Sequence, residues 1–293
     1  MIHILTVHWM DPKWIAPQLG YLERNIGGPY RTWASLEGIT DPADRNRFDV
    51  VEDFEGMHAD KLNGLAGRVT DVADPDDVLV FLDGDAFPVR PLDEWMDDLL
   101  HEHPLAAVRR DENRQERQPH PCFCVTTVGF WDKIGGDWRA GGTWTTPTGT
   151  EVTDVGGTLF NQLRSAGFEW QPILRSNTND LHPLWFAIYG GHIYHHGAGF
   201  RRRVARADVA DLGALASPRL RDTARLYRQR NVRPVDLLRK VNLTNVRGAL
   251  RGLRQELPGS EQARYLAEAT AQSDGVYQDL VRNPEFYRRF ETA

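Results

Sequence analysis

Hydrophobic positions along the chain follow two rhythms. Ile2-His3-Ile4-Leu5-Thr6-Val7 is a short β-rich opening strand, and a second, continuous apolar run, Val78-Leu79-Val80-Phe81-Leu82, has the length and branched content of a buried strand. Around them, apolar residues recur at helical spacing from Pro17 to about Asn25, through Leu19 and Leu22, until Gly27-Gly28-Pro29 stops the pattern. Tyr30 to Leu36 and Phe48 to Val51 read as further strands, and His58 to Val72 as a second helix. Such alternation of strand and helix predicts an α/β fold built on a mostly parallel sheet flanked by helices. Beyond it, the pattern predicts a helix over Asp93 to Leu100, a strand containing Cys122 to Val128, and a helix opening at Asp154.

The second apolar run ends on Asp83-Gly84-Asp85. Two carboxylates leaving one strand end together sit where open α/β sheets bind ligands. Hard oxygen ligands in pairs suit Mg²⁺ or Mn²⁺, with substrate phosphates completing the shell. Gly84 between them allows a phosphate or sugar to approach the backbone. A solvated Asp-Gly turn is the simpler alternative, and the apolar lead-in with Phe87-Pro88-Val89 behind it argues against that.

On Val80-Phe81-Leu82-Asp83-Gly84-Asp85-Ala86, and more loosely from Ile2 to about Arg203, the sequence resembles the metal-dependent nucleotide-sugar glycosyltransferases of the GT-A fold, whose DxD motif binds metal and donor. The resemblance implies a Rossmann-like catalytic domain over 1–203 and a helical, Arg-rich extension over 204–293. It implies that Asp83 meets the ribose or the metal shell, that Asp85 binds the metal, and that a late histidine completes the shell. His196 is the first choice for that role and His195 the alternative, since alternation puts His192, Tyr194 and His196 on one strand face and His195 on the other. Val7, His8 and Trp9 at the end of the first strand, with Gly84 and with His58, Lys61 and Asn63 on the helix before the motif, are the implied donor contacts. Asp154 is the implied general base of an inverting transfer, with Glu151 second and an N-cap as the structural alternative for Asp154. The donor implied is a nucleotide diphosphate sugar, UDP-linked first, carrying a hexose or N-acetylhexosamine. The acceptor is a hydroxyl or amine on a small molecule or a carrier, as in natural-product assembly.

Composition changes this picture in a few places. Hydrophobic content of 41% is ordinary for a globular chain, and the net charge is −6. No apolar stretch approaches the roughly 20 residues of a membrane span, and residues 1–15 lack a secretory pattern, so a cytoplasmic location is expected. Nucleic acid is not an expected partner. Cys122 and Cys124 are too close to bridge and are expected to pack within their strand. Residues 201–256 hold fifteen basic and five acidic side chains, +10 against −16 for the rest of the chain. That stretch is expected to contact an anionic carrier protein or membrane surface, or to pack back on the acidic domain. Arg109 to His120 and Gly135 to Gly149 are too polar or glycine-rich to read as core, and are expected to be surface loops, with a mobile loop near the site and an acceptor rim as the respective alternatives. A haloacid-dehalogenase-type phosphatase is disfavoured because its acidic motif opens the domain, whereas three strands precede Asp83. A non-catalytic nucleotide-sugar-binding protein remains the main rival.

Overall fold

The computed structural model describes residues 1–112, 116–145, 151–177, 186–197 and 261–291, with side chains described from 271 onward in the last segment. The expected domain boundary at 203/204 and the basic stretch 201–256 lie outside the described residues. The chain forms β1 (Ile2–Trp9), α1 (Ile15–Asn25), β2 (Tyr30–Glu37), α2 (Pro42–Arg45), β3 (Val50–Val51), α3 (His58–Thr70), β4 (Val78–Asp83), β5 (Ala86–Pro88), α4 (Asp93–Glu102), β6 (Leu105–Val108), β7 (His120–Thr127), α5 (Val128–Lys133), β8 (Trp144–Thr145), β9 (Glu151–Val152), α6 (Gly157–Ser165), β10 (Gln171–Ile173), β11 (Ala187–Tyr189), β12 (Ile193–His195) and α7 (Glu261–Arg282).

Seven strands make one sheet in the order β10-β6-β7-β4-β1-β2-β3. β4, β1, β2 and β3 are parallel, as are β10 and β6, while β7 runs against both its neighbours. The expected mostly parallel sheet flanked by helices is present, with a helical C-terminal piece. β7 departs from the parallel set because it follows β6 through a loop rather than a crossover helix, and a direct return can only be antiparallel. Both faces of the sheet are covered, as the continuous apolar runs require. Val80 and Leu82 pack with Ile4, Leu22 and Met96 on one face. Leu79 and Phe81 pack with Leu62, Leu65, Trp131 and Leu159 on the other. Both cysteines are buried and free on β7, as expected.

β5 does not continue the large sheet. It belongs to a small antiparallel sheet, β11-β12-β5, so the chain passes from one sheet to the other across Gly84 and Asp85 alone. Behind the small sheet lies a third core in which Trp14, Tyr21, Phe87, Phe186 and Tyr194 meet Val276 and Leu280 of α7 and Tyr287 and Phe290 of the turn that follows it. Tyr277 donates to the Lys13 carbonyl at 3.0 Å and Tyr287 to the Val89 carbonyl at 3.1 Å. Arg24 pairs with Glu285, and the Tyr21 hydroxyl meets the Pro284 carbonyl. The C-terminal helix is therefore part of the packing that supports β5 and β12. Among the described residues no helix is long and apolar enough to cross a membrane.

Leu280, 3% exposed in that shared core, tests the point: Leu280→Ala should cost about 2–4 kcal/mol in a urea unfolding curve. A loss below about 0.5 kcal/mol, the level of an ordinary surface substitution, would mean that α7 does not share the core.

Candidate metal and ligand site

β4 and β1 run in parallel register, so Asp83 lies beside Val7 at the carboxyl edge of the sheet. Antiparallel pairing of β12 with β5 sets His195 opposite Ala86, and the His196 N–H donates to the Asp85 carbonyl at 3.0 Å. The two-residue step between the sheets thus brings Asp83, Asp85 and His195 together. Gln18, buried on α1, fixes the step. Its amide donates to the Asp83 carbonyl at 2.8 Å and to the Ala86 carbonyl at 2.9 Å. Its oxygen lies 3.1 Å from Thr6 Oγ1 and 3.0 Å from His8 Nε2. Because both amide hydrogens go to carbonyls, this oxygen can only accept, and His8 Nε2 must carry its proton.

One ligand atom each from Asp83, Asp85 and His195 lies within 4.8 Å of the others. His195 Nε2 stands 3.4 Å from Asp85 Oδ1 and 3.7 Å from Asp83 Oδ2, and His58 Nε2 is 3.2 Å from Asp83 Oδ1. Burial opposes charging His195, yet Asp85, aided by the Cys122 thiol beside the ring, raises its proton affinity well above the ordinary value. At His58 burial likewise opposes the charge, and Asp83 followed by Asp85 overcomes it against the repulsion of Lys61. Both shifts report one fact: the carboxylate pair makes a well of negative potential that attracts cations. Two carboxylates and an imidazole are a donor set that fits Mn²⁺, and Mg²⁺ less well.

The other expected residues divide. His196 is turned to the opposite side of β12, where Tyr194 Oη is 3.1 Å from Nδ1 and Ser273 Oγ is 2.9 Å from Nε2. With both nitrogens engaged and burial holding it neutral, its pKa lowered to about 3, it stands away from the carboxylates' ligand atoms. Val7 and the ring of His8 are buried, the latter against Phe48 with ring centroids 5.6 Å apart. Trp9 is exposed at the same edge, as are Met10 and Met57, 60% and 77% accessible. Met57 directly precedes His58, whose ring meets Asp83, and Trp9 lies two residues beyond Val7, the register partner of Asp83. Gly84 is buried at the step. Lys61 is buried and paired with Glu37 at the end of β2. Asn63 uses both ends of its amide on the Asp137–Trp138 segment, at 2.7 and 3.0 Å.

Asp154 is not a helix cap. α6 opens at Gly157 behind Gly156, whose φ of +86° and contact with the Pro119 carbonyl, 1.9 Å from where a Cβ would lie, permit only glycine. Asp154 instead accepts from the Val155 N–H at 2.9 Å and from Arg110 at 2.9 Å. Glu151 is exposed on β9, paired across from Thr145.

Three features of the site escaped the sequence pattern. Gln18 is one polar residue in an amphipathic helix, and nothing in its neighbours announces four hydrogen bonds. His120 opens β7, which runs against β4 with Phe123 opposite Leu82, so its start lies at the carboxyl end of β4. Its ring centroid is 6.4 Å from that of His195, and burial, together with Arg110, holds it neutral. The stretch expected to be a polar loop folds inward instead: Glu116, Gln118 and His120 are buried, and Glu116 meets Arg110 at 2.8 Å. A histidine starting an apolar strand antiparallel to the motif was the available signal.

No family model matches the chain, and no curated protein matches it in sequence. Among solved structures, it is similar to residues 1–349 of S. aureus TarS, with 12% identity, 47% of this chain and 50% of that one covered, and a TM-score of 0.36. It is also similar to the galactosyltransferase LgtC in complex with donor and acceptor sugar analogues, with 12% identity, 45% and 59% covered, and a TM-score of 0.34. A third is the bifunctional glycosyltransferase WbbM in its apo form, with 11% identity, 46% and 32% covered, and a TM-score of 0.35. The chain spans about half the length of the TarS fragment.

Burial lowers the His8 pKa from 6.5 to about 4, against the Gln18 hydrogen bond and Asp85. Between those values the unfolded chain binds the extra proton, so this contribution to stability is whole above pH 6.5 and is lost as pH falls toward 4. The wild type should therefore lose about 3 kcal/mol more than His8→Gln over that interval, read from urea midpoints at each pH. Parallel curves for the two proteins would show that His8 is charged in the fold.

Proposed function

We propose that the chain is a divalent-metal-dependent glycosyltransferase that takes a sugar from a nucleotide diphosphate, with UDP the first nucleotide to test. The observation that carries this is the convergence of Asp83, Asp85 and His195 at the carboxyl edge of the parallel strands. In this reading Asp83, Asp85 and His195 hold Mn²⁺ or Mg²⁺, and His195 takes the role first expected of His196. When bound, the cation offsets the charge that grows on the departing diphosphate. Exposed Trp9 and Met57 offer flat and apolar contact to the base beside it, and His58 orients Asp83. Lys61, with its Glu37 partner, completes the donor side.

Asp154 is the acceptor-side carboxylate. As the acceptor oxygen attacks the anomeric carbon, its proton passes to Asp154, and the electrons of the breaking sugar–phosphate bond leave with the diphosphate, which gives inversion. Arg110 orients this carboxylate. The same ion pair favours the rival reading, a protein that binds nucleotide sugars without turning them over, because it occupies one of the base's oxygens. The Arg-rich stretch 201–256 is proposed to draw an anionic carrier or membrane surface toward the catalytic unit.

Asp85→Ala should abolish the thermal stabilisation given by UDP with Mn²⁺, which reaches about 2.7 kcal/mol at 100 times the dissociation constant. His195→Ala should weaken Mn²⁺ binding at least about tenfold, or 1.4 kcal/mol, and His196→Ala should do so less. UDP stabilisation that survives EDTA would remove the metal assignment. Turnover of donor by the wild type with at least a ~10²-fold lower kcat in Asp154→Asn separates the transferase from the binding protein, in which neither form turns over.

A further inference from the structure

We infer that a cavity tied to the Arg110–Asp154 pair through Gln118 and Val155 recognises an acceptor that carries an anionic group next to a ring. The word acceptor rests on the transferase reading, while the ligand chemistry rests on the cavity alone. The cavity has a volume of about 450 Å³ and is walled by Arg117, Gln118, Trp144, Phe160, Asn161 and Arg164 with the glycine and threonine backbone between them. That volume suits a small molecule of one or two rings.

Its charge is the informative property. In a chain of net charge −6, none of the described side chains lining this cavity is acidic and two are arginines. Among the described residues, neither Arg117 nor Arg164 has a carboxylate partner. Arg164 instead lies over the Phe160 ring, 5.6 Å from its centroid, which holds the guanidinium in place without neutralising it. Gly157, Phe160, Asn161 and Arg164 recur at helical spacing, so one face of α6 from its first turn onward lines the cavity, and the amino end of the helix adds positive potential. Two forked cations that retain their full donor sets suit a carboxylate or a phosphate. Trp144 and Phe160 supply the faces on which a sugar or aromatic ring packs.

Position ties the cavity to the site. Gln118, in its wall, donates to the Val155 carbonyl at 2.6 Å. Val155 is the residue whose N–H Asp154 accepts. Gln118 therefore touches the residue next to the proposed base, and a single residue, Pro119, separates it from His120 at the edge of the well.

The test is titration calorimetry of the intact chain in EDTA, so that no metal bridges a phosphate, with three probes. These are phenyl β-D-glucuronide, α-D-glucose 1-phosphate and neutral phenyl β-D-glucoside. At least one anionic probe should bind about tenfold or more tightly than the neutral one, and Arg117→Gln and Arg164→Gln should each remove about a factor of ten. Trp144→Ala should weaken the preferred anion and the glucoside alike. The preferred anionic probe identifies the group as carboxylate or phosphate. Equal binding of neutral and anionic probes, unchanged anion affinity in both arginine variants, or no saturable anion binding overturns the inference. The response of the same variants to UDP with Mn²⁺ keeps the two readings apart. An anion preference without any nucleotide response leaves the cavity and removes the transferase, and the reverse result leaves the transferase and removes the cavity.

Discussion

A carboxamide sealed from water has to satisfy one oxygen and two hydrogens, and the way Gln18 does so governs how this molecule can be arranged. Its two hydrogens hold the carbonyls of Asp83 and Ala86, on either side of the step between sheets. Its oxygen serves Thr6 and His8 on β1. Leaving any of these buried groups unpaired would cost about 1–3 kcal/mol each. The step can therefore drift little relative to β1 and α1 without losing several bonds at once. Asp85 leaves the backbone inside that clamped interval, so its carboxylate inherits the rigidity of four elements although it sits on a two-residue turn.

Five of the chain's ten histidines crowd this region, and their proton affinities sort by contact. His58 and His195, facing carboxylates, are raised. His8, His120 and His196, whose partners are amides, hydroxyls or other cations, are driven down by burial. Among these histidines positive charge is thus confined to the two rings that touch Asp83 and Asp85, and a divalent ion, were it to enter the well, would displace protons from them. The neutral rings have the complementary task. His196 links β12 to α7 through Ser273, and so the C-terminal helix helps decide where His195, its neighbour in the strand, is held.

Much of this was legible in the chain. Apolar runs gave away the strands because a strand covered on both faces carries few polar residues, each needing a buried partner as Thr6 and His8 do, and Asp83 and Asp85 stood out against that background. Alternation correctly divided His195 from His196 but could not say which face the carboxylates share, because that depends on β12 pairing with β5 across more than a hundred residues. The helix start at Asp154 was misplaced by three residues, since an aspartate before an apolar run resembles a cap, and the contact that makes Gly156 obligatory comes from Pro119. The inward fold of Glu116, Gln118 and His120 was missed for a related reason. Charged residues read as solvated until a partner such as Arg110 is known to be buried with them.

The carboxylate well and the arginine-lined cavity carry charge of opposite sign, and Gln118 and Val155 link the cavity wall to the Arg110–Asp154 pair. In the proposed transferase a donor diphosphate with its cation would be accepted by the carboxylate well, whereas an acceptor bearing an anion would be repelled there and drawn toward Arg117 and Arg164. Under that proposal, opposed fields would turn the uncharged portions of two negatively charged ligands, a sugar carbon and a hydroxyl, toward each other. Arg110 bonds Asp154 and Glu116 together. Its single positive charge lies against both carboxylates, so it holds them in place without leaving a free cation beside Asp154.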